Sequence, residues 1–313
     1  MRGRKYFAVL LAGMLLLACL AGGCQSSKDG DGRQAGSKEE GTFHIVTSFY
    51  PVYTATLNVT QGIDGVEVVN MTKPQTGCLH DYQLTTEDMK TLEKANVFVV
   101  NGAGMESFLD KAVKAQTDMK LVDASEGIVL LKDEEGENPH VWLNVPNEIL
   151  QVKNIARQLG EADKAHAEAY QRNADAYIEK LNTLAAEMHK ELDNVPQKDI
   201  VTFHEAFPYF ADEFHLRIIS VIEREPGTEP TPLELEKTIQ QVKGLSSKVL
   251  FVEPQYSPHA AETIARETGA VIYSLDPIVT GDGDEPQEKT RDAYLERMRE
   301  NMKVLKKALA GNA

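Results

Sequence analysis

Eight histidines occur in the 313-residue chain, and three of them share a telling position. His80 lies in TGCLHDYQLTTED, His140 in ENPHVWLN, and His204 closes DIVTFH. Each follows a run that reads as a β-strand or the segment just after one, and Asp276, in SLDPIVTGDG, stands in the matching place after the last such run. Ligands of open α/β sheets collect outside the carboxyl ends of the strands, so these four side chains can line one crevice. Three imidazole nitrogens and one carboxylate oxygen make a tetrahedral site for a first-row divalent metal. Taken singly, a loop histidine is more often a hydrogen-bonding or surface residue than a ligand; the shared position is what raises the four together. Pro139 before His140 and Pro277 after Asp276 stiffen two of the loops, as a preorganised site requires.

Metal-bound imidazoles need an acceptor at their second nitrogen, and Glu229 and Glu253 are the candidates for that part. Glu205 adjoins His204, but consecutive side chains at a helix start point apart, so it is set aside. Trp142, the single tryptophan, reads as core beside the His140 loop. His166 and His189 fall on a long helix and are expected to face solvent; His44 is early in a strand, and His215 and His259 border elements without ligand-like neighbours.

The elements that must position these residues follow from hydrophobic periodicity. Short β-branched runs recur at HIVTSF (44 to 49), VEVVNM (66 to 71), NVFVVN (96 to 101) and KLVDA (120 to 124), with helical patterning between them, as in Thr86 to Lys94. The alternation returns at DIVTFH (199 to 204), LRIISVI (216 to 222), KVLFVEP (248 to 254) and AVIYSL (270 to 275). The chain therefore reads as two α/β lobes, residues 42–161 and 196–313. Thr231, Pro232 and Glu234 form a capping-box signature, with Gly244 as the stop. Between the lobes, residues 162–195 contain no Gly or Pro, and Tyr170, Ala174, Tyr177, Leu181, Leu184, Met188 and Leu192 recur at spacings of three and four. One amphipathic linking helix is expected, its apolar stripe serving core packing and its length making it a rigid spine.

The amino terminus describes where the protein goes. Arg2, Arg4 and Lys5 precede an apolar stretch from Phe7 to Leu20, then Ala21, Gly22, Gly23 and Cys24: a signal peptide over residues 1–23 whose small-residue run ending in cysteine looks like a lipobox, with Cys24 as the lipidated first residue. Leu16 to Cys19 is a rival cleavage site, disfavoured because the polar stretch begins at Cys24. Residues 24–41 contain no large apolar side chain, so they read as a flexible tether. The formal charge of −15 disfavours nucleic acid and anionic lipid headgroups as partners. Three cysteines are too few for a disulfide scaffold.

Successive blocks resemble the zinc and manganese solute-binding lipoproteins of bacterial ABC transporters: TSFYPVY (47 to 53), LHDYQLT around His80, VNGAGMESFL (100 to 109), NPHVWLN, VTFHEAFPYFA, GTEPTP (227 to 232), LFVEPQYSP (250 to 258) and YLERMRENMKVL. They occur in order over essentially the whole exported body. The resemblance implies two (β/α)4-like lobes joined by one long rigid helix, with the metal between them held by His80, His140, His204 and Asp276. It implies an extracytoplasmic, lipid-anchored monomer that captures the cation and delivers it to a permease driven by a cytoplasmic ATPase, with no catalysis. Two departures stand out. Cys78 and Leu79 precede His80, where the family commonly has Pro-His; Cys78 can offer a soft thiolate, but a buried inert thiol is the favoured reading. The segment LKDEEGENP before His140 is acidic where zinc members often carry a histidine-rich loop.

Histidine at position 204 resembles the zinc carriers, and a carboxylate there would resemble the manganese carriers. Imidazole suits zinc, whereas manganese prefers more oxygen donors, so Zn(II) is the expected ligand, with manganese or mixed Zn/Mn binding as the alternative. An exported zinc hydrolase is the reading of a different class. It needs three protein ligands, an open fourth position and a general base, and no HExxH, GxSxG or Walker motif occurs. An adhesin with a structural metal finds no supporting feature in the sequence.

Overall fold

In a computed structural model, residues 41–79, 82–109, 119–132, 136–223 and 229–311 are described. All eight runs anticipated as strands are strands. In the first lobe β1 (Phe43–Thr47), β2 (Val66–Asn70), β3 (Val97–Val100) and β4 (Lys120–Asp123) form a parallel sheet of order β2-β1-β3-β4. Ile45 of β1 registers with Val68 of β2 on one side and Val97 of β3 on the other. Every residue of β3 is buried, as befits a strand covered on both faces, which is why its sequence VFVV shows no polar alternation.

Helix α1 (Tyr50–Val59) returns the chain from β1 to β2, and α2 (Thr86–Glu93) from β2 to β3. The start of α2 is a reciprocal capping box: Asp88 N–H donates to Thr85 Oγ1 while the Asp88 carboxylate accepts from the Thr85 amide. In this order the strand direction of travel reverses between β1 and β3, so a crevice opens beyond their carboxyl ends.

Two long helices follow. Asn144 caps α3 (Val145–Ala162), its side-chain oxygen accepting from the Asn147 amide at 2.8 Å. The linking helix α4 spans Ala167–Leu192, about 39 Å at 1.5 Å per residue. Its buried residues are Tyr170, Ala174, Tyr177, Leu181, Leu184, Met188 and Leu192, the same stripe that periodicity gives. The helix is shorter than the expected 162–195 because Asp163 turns the chain: its carboxylate accepts from Tyr170 Oη at 2.8 Å and lies 2.6 Å from His166 Nδ1. Gly160 permits the tight α3–α4 hairpin, since a Cβ there would lie 3.1 Å from that of Ala167.

The second lobe repeats the first in outline. Strands β5 (Asp199–Thr202) and β6 (Arg217–Val221) pair in parallel, as do β7 (Val249–Val252) and β8 (Val271–Ser274), and β5 runs beside β7. The sequence of neighbours is thus β6, β5, β7, β8, with the reversal between β5 and β7. Short α5 (Pro208–Glu213), α6 (Pro232–Lys243) and α7 (His259–Thr268) link these strands, and α8 (Gln287–Ala308) closes the chain against α1 and α4. The capping box at Thr231 and Glu234 and the stop at Gly244 are present as read.

The main hydrophobic cluster runs through both lobes, joining Ile45, Val97 and Trp142 to Leu181, Phe207, Phe251 and Tyr294. Polar ties stitch the loops near the crevice across it. Trp142 Nε1 donates to the Pro277 carbonyl at 2.8 Å, and Tyr294 Oη donates to the Trp142 carbonyl at 2.7 Å. Among the described residues no helix is long and apolar enough to cross a membrane.

Candidate metal centre

His140 and His204 meet at the crevice, one from each lobe, each only 1% exposed. His140 stands on the loop between β4 and α3. That loop is tied to the end of β3, because Asn101 Nδ2 donates to the Pro139 carbonyl at 2.9 Å. Gln151 Nε2 holds Asn101 in turn at 3.0 Å. Asn101 precedes Gly102, whose φ of +79° only glycine adopts without strain, and a Cβ there would fall 2.0 Å from Asp123 Oδ1. Buried Glu106 braces the same corner: its carboxylate accepts from Ser48 Oγ (2.7 Å), Asn101 N (2.7 Å) and Gly102 N (3.1 Å), joining the ends of β1 and β3. Burial pushes its pKa up to about 7 against the pull of those three donors.

The ring of His140 is oriented by Asn138. Asn138 Nδ2 donates to the Glu205 carbonyl at 2.8 Å, which fixes the amide so that Oδ1 faces His140. Nδ1 of His140 lies 3.0 Å from that oxygen and must be the protonated nitrogen. Nε2 is thereby left as the donor atom for a metal. His204 repeats the arrangement across the β5–β7 reversal: it follows β5 by two residues, and its Nδ1 bonds the carboxylate of Glu253, which follows β7 by one. Glu253 is also 1% exposed, and Gln255 Nε2 donates to its other oxygen at 2.9 Å. Burial opposes a charge on His204, but the Glu253 carboxylate and the Cys78 sulfur outweigh it and push its pKa up to about 10. The imidazole pair is edge-to-face, with ring centroids 5.2 Å apart, and Trp142 and Tyr256 flank it at 5.3 Å from His140 and 5.8 Å from His204.

The third group at this point is Cys78. Its Sγ lies 3.7 Å from His140 Nε2 and 3.6 Å from His204 Nε2. Among the described residues, Cys78, His140 and His204 form a set whose ligating atoms all lie within 4.8 Å of one another. Sequence reasoning favoured an inert thiol here, and the structure instead turns the sulfur toward both imidazoles.

Asp276 sits two residues beyond β8, but its carboxylate is engaged elsewhere: Oδ1 accepts from the Ile278 amide at 2.7 Å, and Oδ2 is 3.3 Å from Arg297 Nη1. Asn301 clamps its backbone, accepting from the Asp276 amide at 2.9 Å and donating to its carbonyl at 2.7 Å. Glu229 is exposed and lines a cleft with Glu223 and Tyr256. His80 and Cys24 lie outside the described residues, as do the signal segment 1–23 and the tether up to residue 40. Of the remaining histidines, His166 precedes α4 rather than riding on it, and His189 is not simply solvated: it lies 2.9 Å from Asp193 and 3.3 Å from Glu213. Asn138 and Glu106, which orient the site, carried only one sequence signal, their place inside the blocks NPHVWLN and VNGAGMESFL.

Comparison with known proteins identifies the family. Residues 45–308 match the family described as zinc-uptake complex component A, periplasmic. The high-affinity zinc uptake system protein ZnuA of Bacillus subtilis is 30% identical over 317 residues, covering 96% of each chain. The Pseudomonas aeruginosa solute-binding protein FpvC, solved with Mn2+, superposes with a TM-score of 0.76 at 33% identity, covering 86% of this chain and 98% of that one. Zn(II)-bound AdcA of Streptococcus pneumoniae gives a TM-score of 0.76 at 29% identity over 87% of this chain, which spans 59% of AdcA's length. Two parallel α/β lobes, matched to the family over residues 45–308, place this chain in the ZnuA family, the periplasmic component A of zinc-uptake complexes.

Proposed function

We propose that the protein captures Zn(II) outside the cytoplasm and delivers it to the permease of an ABC importer, itself driven by a cytoplasmic ATPase. The observation that carries this reading is the pair of buried imidazoles, each fixed through Nδ1 by its own acceptor and each presenting Nε2 to one point between the lobes. A site so preorganised binds a cation without first ordering its ligands. His140 and His204 serve as two ligands, with His80 and Asp276 as the remaining members of the proposed set. For Asp276 to join, its Oδ2 exchanges Arg297 for the metal. Glu253 keeps His204 in the ligating tautomer, and its charge offsets that of the cation.

The lipobox reading of Cys24 supplies the membrane anchor, and residues 24–41 the tether, placing the body beside the permease as a monomer. Manganese is the second cargo to weigh, because the structurally similar FpvC was solved with Mn2+. Two nitrogen donors from this chain favour zinc over manganese. The hydrolase reading lacks support, since the family is one of uptake components. Equilibrium dialysis of the metal-free chain tests the site. Wild type binds one zinc per chain, and His140→Ala weakens binding at least a hundredfold with an unchanged circular dichroism spectrum. Undiminished affinity in that variant overturns the proposed site.

A further inference from the structure

We propose that Cys78 is itself a ligand: its thiolate joins His140 Nε2 and His204 Nε2 to form three corners of a tetrahedral sulfur and nitrogen site. This rests on the carrier reading above and puts Cys78 in the place given there to Asp276. The argument is geometric. Zinc bonds of about 2.3 Å to sulfur and about 2.0–2.1 Å to nitrogen, at the tetrahedral angle, put the two donor atoms about 3.6 Å apart. Cys78 Sγ stands 3.7 Å and 3.6 Å from the two imidazole nitrogens. Those are the S···N edges of a zinc tetrahedron, repeated on two independent histidines that come from different lobes.

The placement of the sulfur is built rather than incidental. Leu79, the neighbour of Cys78 in the chain, is fully buried in the core, while the Tyr256 hydroxyl takes a hydrogen bond from the Cys78 backbone. Tyr256 is itself stacked on Phe203 with ring centroids 5.9 Å apart. Both imidazoles have their Nδ1 committed to Asn138 and Glu253, so their ligating faces are the ones turned to Cys78. Asp276, the oxygen donor that would otherwise complete the set, is held by Arg297 and the Ile278 amide.

On binding, the thiol S–H bond breaks, its proton leaves to solvent, and a sulfur lone pair forms the bond to the metal; no electrons are transferred. A thiolate corner is soft, so it favours zinc and cadmium and disfavours manganese. Cys78 is then the residue that sets which cation this member selects.

Cobalt(II) loading of the metal-free full chain tests this directly. Wild type is expected to show a near-ultraviolet thiolate-to-cobalt charge-transfer band together with intense tetrahedral d–d bands. Cys78→Ser is expected to lose the charge-transfer band and keep weakened d–d bands; because Cys19 and Cys24 are present in both chains, the difference reports Cys78 alone. Zinc affinity of C78S falls by more than the roughly 10–100-fold that loss of a supporting hydrogen bond costs a metal site, while manganese affinity does not fall. Zinc X-ray absorption on wild type needs no variant and should show one sulfur at about 2.3 Å beside nitrogen scatterers. Tetrahedral cobalt bands without a charge-transfer band, or a zinc shell without sulfur, overturn the Cys78 proposal and leave the carrier reading standing. No binding of either metal by wild type overturns both.

Discussion

At the residue scale the site is governed by which nitrogen of each imidazole is already spoken for. Asn138 and Glu253 take the two Nδ1 atoms, and the chemistry of Nε2 follows. The two acceptors differ in consequence: a neutral amide only orients His140, whereas the Glu253 carboxylate also raises the pKa of His204, up to about 10. In the metal-free protein this shift favours the protonated form of His204. A folded pKa above the unfolded value of 6.5 gives stability that is complete below that value and disappears as pH rises through about 10. Zinc competes with this proton, so binding releases it, and affinity declines as pH falls. Calorimetry at pH 7.5 in buffers of different ionisation enthalpy should show proton release that is reduced in Glu253→Gln, with zinc affinity lowered roughly 10–100-fold. Equal proton counts in the two proteins would contradict the assignment.

At the element scale the strands do the positioning and the long helices do the bracing. Glu148, in the first turn of α3, is buried with Oε1 lacking a hydrogen-bond partner, and burial pushes its pKa from 4.5 up to about 8. A carboxyl whose folded pKa is raised favours folding below its unfolded pKa, and this contribution is lost as pH rises from about 4.5 through 8. Glu148→Gln removes that linkage. Denaturant titration should find the variant more stable than wild type at pH 9, by on the order of 5 kcal/mol, with the difference vanishing near pH 4.

The strands were legible in the sequence because their β-branched runs are short, continuous and bounded; the helix α6 was legible because Thr231 and Glu234 cap it reciprocally. Helix α3 was not, because Glu148 and Gln151 occupy buried positions on its inner face and interrupt the apolar period. The break between α3 and α4 was invisible for a related reason: Asp163 makes it with side-chain hydrogen bonds, and no Gly or Pro stands in the turn itself. At the site, the position of His204 could be read from the end of β5 and that of His140 from the segment after β4. The part of Cys78 could not, since a single cysteine acquires meaning only when the fold sets it beside two imidazoles.

At the scale of the whole molecule, a core continuous through both lobes and a spine of 26 residues leave little freedom for hinge motion. Binding should then act mainly as added stability. With free zinc at a thousand times Kd the linkage adds about 4.1 kcal/mol, which for a body of this size is a rise in Tm of roughly 8–16 °C, reversed by a chelator. Differential scanning calorimetry checks this, and a Tm indifferent to zinc would contradict tight binding to the folded state. The central claim, a zinc-selective carrier, is met most directly by competitive titration of the metal-free chain with zinc and manganese, followed by metal analysis. The account predicts one tightly held zinc per chain that a large excess of manganese does not displace. Preferential retention of manganese, or no tight binding of either cation, would contradict it.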